Sequence, residues 1–313
     1  MQQASVVPRL PGHKKGWARF WSLWNEKIGY LFVLPSFLHL AVFLLIPLGF
    51  SLYLSFHDWN GPSFHNAPYI GLENYKFMLG DFRFWNALRN SAYYTLLAVP
   101  LGMIFSLLLA VVMNLKLRGS YFFRTLFFMP VISSWVAVSV IWITLLDPNA
   151  GVLNYGLSLV GLPAVNWLGD PRWAMIAIVI VATWKGAGFS MVIWLAGLQG
   201  VPKELYEAAS IDGAGGWAQF RYITLPMLAP TTFFLLVTGI IGSFQVFSPV
   251  YVMTKGGPLD STDVVVFRIY QRAFTEFKMG YASAQAWVLF AIIFILTLLQ
   301  LWYMRRNVER AYG

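Results

Sequence analysis

The sequence predicts an all-α integral membrane protein with six transmembrane helices, and three observations predict it. The first is composition: 313 residues are 58% hydrophobic and 11% charged, with mean hydropathy +0.62. A soluble domain carries about 25% charge, so this chain cannot cover a water-facing surface and must be solvated by lipid. The second is the presence of six apolar stretches, at 29–56, 91–115, 122–146, 173–198, 231–253 and 282–303. Hydrocarbon about 30 Å thick needs roughly 20 apolar residues of helix, and each stretch meets that length. The third is a polar loop between the fourth and fifth stretches with a strongly patterned sequence.

Each stretch is apolar on all faces, which separates a span from an amphipathic surface helix. The first is too long for a signal-peptide core and lacks an A-x-A-like cleavage site, so it reads as a retained span. Pro35, Pro47, Pro100 and Pro130 lie within or at the edges of spans. Neighbouring helices can re-satisfy the carbonyls they free, so each is expected to kink its helix. The 14 tryptophans suit a protein with two membrane interfaces, where amphipathic rings sit at headgroup level. No internal repeat or low-complexity tract interrupts the pattern.

Charge placement orients the spans. Arg9, Lys14, Lys15, Arg19 and Lys27 precede the first span, and Lys116, Arg118 and Arg124 lie in or just beyond the second connection. Lys203 and Arg221 lie in the patterned loop, and Arg305, Arg306 and Arg310 in the tail. Those thirteen cations share one side; eight (Lys76, Arg83, Arg89, Arg172, Lys255, Arg268, Arg272 and Lys278) fall on the other. The positive-inside rule then places both termini and the patterned loop in the cytoplasm. The expected organisation is a basic cytoplasmic tail over 1–28, a transmembrane domain over 29–305 containing the loop 200–226, and a short cytoplasmic tail over 306–313. The first tail reads as a topology anchor near anionic lipid or, alternatively, as a site for a specific partner. The net charge of +9 flanks the spans and forms no basic domain, which excludes a nucleic-acid partner. With no cysteine, disulfides, thiolate metal sites and cysteine nucleophiles are excluded.

The patterned loop reads Glu207-Ala208-Ala209-Ser210-Ile211-Asp212-Gly213, nine residues, then Ile223-Thr224-Leu225-Pro226. Pro202 can open a short helix, and residues 203–209 are mostly good helix formers. Gly213 can take φ > 0 and stop that helix. A second short helix is expected over 217–221, ended by Pro226. The product is a helix–turn–helix knob. Its small Ala208 and Ala209 allow close approach of another surface, and Glu207 offers a charge to hold it. An ordinary helical connection would account for glycine and proline at a turn, but not for the whole spaced pattern.

That pattern, E-A-A-x₃-G-x₉-I-x-L-P, resembles the cytoplasmic coupling loop of binding-protein-dependent ABC importer permeases of the type I class. Further elements resemble their carbohydrate class. They are Gly71-Leu72-Glu73-Asn74-Tyr75 with Phe84-Trp85, Leu195-Ala196-Gly197-Leu198-Gln199, and Thr254-Lys255-Gly256-Gly257-Pro258 followed by Ile269-Tyr270. The likeness runs from about residue 29 to 303. It implies one transmembrane subunit of an ATP-driven sugar importer, with an oligosaccharide as the expected cargo, in a prokaryotic inner membrane. It also implies three kinds of partner: a second homologous permease forming a heterodimer, two ATPase subunits and an extracytoplasmic sugar-binding protein. Coupling to the ATPase falls to Glu207, Ala208, Ala209, Asp212, Gly213, Ile223, Leu225 and Pro226. Glycerol-phosphate importers share the Thr-x-Gly-Gly-Pro element, so that cargo stands as an alternative.

The cargo path draws on both readings. Lys185, deep in the fourth span, costs about 2.5–3.5 kcal/mol to insert, so it must find water or a partner. It is either a cavity cation, or a snorkelling or structurally paired lysine. Gly186 and Gly188 either line a pore or permit close helix packing. In the fifth span, Gly239, Ser243, Val246 and Val250 share one helical face. Resemblance to the maltose permease places cargo contacts at Phe189, Gly239, Ser243 and Val246, with Gln245 beside them. Gly239 and Val246 are not polar, a departure from that pattern. Gln245 and Ser248 alternatively serve interhelical hydrogen bonds.

No phosphate-binding G-x-x-x-x-G-K-[ST] motif, H-E-x-x-H or G-x-S-x-G occurs. His13, His39, His57 and His65 are too scattered for a metal site. The expectation is therefore no catalytic residue, no metal and no cofactor bound by this chain, ATP and magnesium being used by the partner ATPase. A self-contained secondary transporter, the rival reading, would need intramembrane acidic residues. No Asp or Glu lies at the centre of any stretch.

Overall fold

A computed structural model describes residues 30–61, 67–115 and 119–307. The basic segment 1–28, the residues Lys116 and Arg118, and most of the tail 306–313 lie outside the described residues. Among those described, regular structure is helical, with only isolated bridges between single residues. The chain divides into two compact units, 1–53 and 54–313.

Among the described residues, the first unit is one long helix, α1, which spans Tyr30–Leu54 and ends at the unit boundary. It widens into a π turn at Ala41–Leu45, just before Pro47, whose ring has no N–H to offer the ladder.

The second unit contains the remaining helices. α2 (Glu73–Gly80) leads into α3 (Phe82–Asn114), a 33-residue helix that runs through Pro100. Asp81 caps α3: its carboxylate accepts from the N–H groups of Arg83 (3.0 Å) and Phe84 (3.4 Å), two of the donors every helix start leaves orphaned. α4 (Ser120–Ile132) and α5 (Trp135–Leu145) follow, then the short α6 (Val152–Leu159). α7 (Pro171–Gln199) opens with Asp170 as its cap and Pro171 at its first position, where a missing N–H costs nothing. α8 (Lys203–Ile211) and α9 (Gly216–Met227) make the loop before α10 (Ala229–Phe244). α11 (Val265–Tyr270) passes into a π turn at Gln271–Thr275, and α12 (Met279–Asn307) completes the chain.

Three sequence expectations need correction. The stretch 122–146 is not one straight span: α4 and α5 are bent by 102° at Ser133, whose backbone is extended. Ser134 then caps α5 by accepting from Val136 N–H at 3.3 Å, so the break is built into two adjacent serines. The stretch 231–253 also breaks. α10 ends at Phe244, and Pro249 cannot donate to the carbonyl of Gln245; helical structure resumes at Ser248 and Pro249 and widens into a π turn at Val250–Thr254. Third, Pro226 does not end the loop's second helix. It sits near the start of a helical turn, Leu225–Met227, and the chain bends by 62° only afterwards, between α9 and α10. The described chain thus has four uninterrupted helices long and apolar enough to cross a membrane, and two bent pairs that meet the test only together.

The core lies between α3, α7 and α10. Tyr94, Met175, Ile178, Val246 and Val250 form one buried cluster, and Ala110, Met191, Trp194, Leu198 and Leu228 another. Trp194 donates from Nε1 to Ser106 Oγ at 3.1 Å, satisfying both buried polar atoms across the α3–α7 interface. α4 packs on α7 at Gly188. A Cβ there would stand 2.2 Å from the Phe127 carbonyl oxygen, so only glycine lets the two backbones meet.

Candidate functional site

The patterned loop over 200–226 folds as the knob expected from its sequence. α8 stops in a Schellman motif: Ala214 N–H donates to Ala209 O (2.8 Å) and Gly213 N–H to Ser210 O (3.1 Å). Gly213 has φ +79°, a conformation that glycine adopts without cost. Two side-chain contacts staple α8 to α9. Gln219 donates to Ser210 Oγ at 2.9 Å, and the hydroxyls of Tyr206 and Thr224 lie 2.9 Å apart. Trp217 and Phe220 stack at 5.7 Å.

The surface of this knob is unusual for its length. Ile211 is 87%, Trp217 76% and Tyr222 77% exposed, and Glu207, Ala208, Asp212 and Gly213 are exposed beside them. Glu207 forms no ion pair among the described residues. Ala209 and Ile223 are half-buried, Pro226 is exposed, and Leu225 turns toward a groove between α10 and α12. Large exposed rings on a rigid support are what a protein-docking surface requires. The support is rigid because Leu198, just before the knob, and Leu228, just after it, are buried in the same α3–α7–α10 cluster.

A cavity of about 150 Å³ lies between α3, α7 and α10. Gly239 and Ser243 line it from α10, facing Thr183, Gly186 and Ser190 of α7 and Ala98 and Gly102 of α3. The α7 residues recur at spacings of three and four and so occupy one helical face. That signal was present in the sequence and marks the wall that the sequence reading missed. The buried Thr183 hydroxyl has no partner there. Gly186 faces open space, unlike Gly188, so the two glycines serve different ends: one lines the cavity, the other packs.

The other path residues lie elsewhere. Val246 is buried in the core beside Tyr94 and Met175. Gln245 lines a separate groove against α11 and α12. Phe189 is 51% exposed on the outer surface of α7. Lys185 is 6% exposed and donates to two carbonyl oxygens, Pro130 (2.9 Å) and Val131 (3.2 Å), with Trp135 4.9 Å from its ammonium. Those carbonyls belong to the last turn of α4, where orphan acceptors and the negative end of the helix dipole favour a cation.

At the opposite end of α3 from the knob, a polar rim ties α3 to segment 255–281. Asn90 donates to the carbonyls of Asp260 (2.8 Å) and Asp263 (2.9 Å), and Ser91 Oγ accepts from Val265 N–H at 3.0 Å. Asp263 pairs with the buried Arg268. Burial pushes the Asp263 carboxyl up to about 6, the Arg268 guanidinium pulling it back only part of the way. Its second oxygen is buried without a partner. Asp81 accepts from Tyr281 OH (2.7 Å) and Arg272 (3.1 Å). Burial raises its carboxyl, but Tyr281, Arg272 and the α3 cap together hold it below the usual carboxylate value.

A bundle of apolar helices with an internal cavity and a braced knob at one end defines a transport permease. Residues 77–309 match the family described as "Binding-protein-dependent transport system inner membrane component", and the chain belongs to that family. It is therefore a multi-pass inner-membrane protein. The probable ABC transporter permease protein YesP of Bacillus subtilis is 41% identical over 276 residues, covering 87% of this chain and 88% of that one. The lactose transport system permease protein LacF of Rhizobium radiobacter is 36% identical, covering 89% and 94%. Among solved structures, the bacterial alginate ABC transporter in complex with an alginate pentasaccharide-bound periplasmic protein contains a similar chain. The TM-score is 0.80 at 26% identity, over 95% of this chain and 98% of that one.

Proposed function

We propose that this chain is one of two permease subunits of an ATP-driven sugar importer, forming half of the translocation path and receiving its drive from a separate ATPase. The braced, aromatic-tipped knob carries the reading. Its backbone is closed by a Schellman turn, its two helices are stapled together, and its ends are rooted in the bundle core. A push on Trp217 or Ile211 is therefore delivered to α7 and α10, the helices that wall the cavity. The charge bias puts the knob on the cytoplasmic side, where ATP is available, and the rim over 255–281 on the side of the binding protein. A second, homologous permease supplies the other half of the path, with one ATPase under each knob.

The likeness to a lactose permease and to an alginate transporter supports a saccharide cargo, with an oligosaccharide as the first choice and glycerol-phosphate as the alternative. Of the proposed path residues, Gly239 and Ser243 line the cavity. Lys185 holds the α4–α5 break, and Phe189, Val246 and Gln245 lie outside this cavity.

The test is co-purification of the ATPase with Glu207→Lys and Gly213→Val. The first reverses the exposed charge. The second forces a β-branched residue into φ +79°, although a Cβ there would meet no neighbour, so the change acts through the turn alone. Both variants are expected to insert normally, lose the ATPase and fail to transport. Normal ATPase recovery with normal uptake would refute the coupling role.

A further inference from the structure

A second pocket, of about 470 Å³, opens between the π turn at Val250–Thr254 and the α11 segment. It falls within the range of about 300–1,000 Å³ typical of small-molecule sites. Tyr251, Phe267 and Tyr270 supply aromatic walls. Gln271, Thr275 and Lys255 supply polar groups at its edge. The Tyr251 and Tyr270 rings meet edge-on at 5.3 Å. Tyr251 is backed by Phe247, stacked at 5.2 Å, so the wall is held in place before any ligand arrives.

Rings beside hydroxyl and amide groups match the two faces of a pyranose: its C–H face stacks and its hydroxyls find donors and acceptors. The charge adds a further requirement. The neighbouring arginines are already paired, Arg268 with Asp263 and Arg272 with Asp81 and Glu276. Lys255 is exposed and forms no ion pair among the described residues. It also stands in a left-handed backbone conformation, φ 50°, a place that favours glycine, directly before Gly256 at φ 84°. An ammonium without an ion pair at the mouth of an aromatic pocket is complementary to an anion.

We infer that this pocket is an entry site for a sugar ring bearing an anionic substituent, stacked on Tyr251 and Tyr270 with its charge on Lys255. The inference rests on the importer reading above and specifies its cargo. It sits outside the cavity formed by Gly239 and Ser243, on the rim side of the bundle.

The experiment uses the complete transporter, with its partner permease and ATPases, in lipid nanodiscs. Saturation-transfer NMR measures binding of two probes, digalacturonic acid and the neutral disaccharide cellobiose. Digalacturonic acid is expected to bind the wild type more tightly than cellobiose does. Lys255→Gln is expected to weaken the acidic probe roughly tenfold, the loss of one charge-assisted hydrogen bond, and to leave cellobiose unchanged. Lys255→Arg restores the acidic probe, and Tyr270→Leu weakens both. Three results overturn the inference: no binding of the acidic probe to the wild type, equal binding of both probes, or an affinity for digalacturonic acid that is the same with and without the Lys255 cation. These readings are independent of the coupling role, which fails instead if the wild-type chain does not retain its ATPase.

Discussion

Lys185, in the middle of α7, donates to the carbonyl oxygen of Pro130, 55 residues earlier, at 2.9 Å. The contact joins a charge that lipid would reject to a helix end that lacks donors. α4 stops at Ile132, so its last turn is short of backbone donors: from the backbone, Pro130 O accepts only the Ser133 N–H at 3.3 Å, and the chain then turns through 102°. An ammonium with three donors answers both needs, and the ring of Trp135 closes its remaining side.

Replacing Lys185 by methionine is therefore expected to remove the side-chain donor from the Val131 carbonyl, to leave the Pro130 carbonyl with only the Ser133 N–H, and to loosen the α4–α5 break. The expected cost is about 1–3 kcal/mol, the range for a buried polar group left unpaired. Thermal unfolding of the purified complex measures it. Lys185→Met with an unchanged unfolding temperature would show that the carbonyls find other donors.

The two glycines of α7 should respond oppositely to the same substitution. Gly188→Ala places a methyl group 2.2 Å from the Phe127 carbonyl, against backbone that cannot move without shifting α4, and is expected to destabilise by about 1–3 kcal/mol. Gly186→Ala meets open space and is expected to leave stability unchanged or slightly improved. Parallel unfolding curves for the two variants decide the matter; equal losses would contradict the packing described.

Ser243→Phe puts a large ring into a cavity of about 150 Å³. Uptake of labelled sugar by the reconstituted complex should fall by roughly tenfold or more while ATPase co-purification is preserved, because close-packed walls leave the ring no place to go. Val250→Ala, in the core and outside the cavity, serves as the control and should keep most of the uptake. Full uptake by Ser243→Phe would move the cargo route onto the partner permease.

The rim should respond to pH through two carboxylates of opposite sign. The folded state keeps the Asp263 proton to about pH 6, whereas an ordinary aspartate releases it near 3.8, so its contribution is complete below 3.8 and declines as pH rises toward 6. Across that window the loss approaches about 1.4 kcal/mol per pH unit. Asp81 runs the other way: its folded carboxyl lies below the usual value, so its contribution is present above 3.8 and is lost as pH falls below it. Hydrogen exchange over 260–276 between pH 4 and 7 is expected to show faster opening at the upper end, after correction for the intrinsic rate. Asp263→Asn should abolish that dependence.

The class of protein and the knob were legible in the residues themselves because both rest on local rules. Apolar length defines a span wherever its neighbours lie, and Gly213 three residues after Ser210 closes a helix through contacts within six residues of chain. The breaks at Ser133 and Gln245, the fate of Lys185 and the composition of the cavity were decided only by tertiary structure. A serine pair is compatible with a continuous apolar helix until another helix offers a cation for the carbonyls it exposes. Lys185 could equally have faced water or a carboxylate; the choice was made by the end of α4, 55 residues away. Gly186 and Gly188 carry the same side chain two positions apart, and periodicity alone could not tell that one meets a cavity and the other a carbonyl. Such assignments depend on which helices become neighbours, and a sequence period describes one helix at a time.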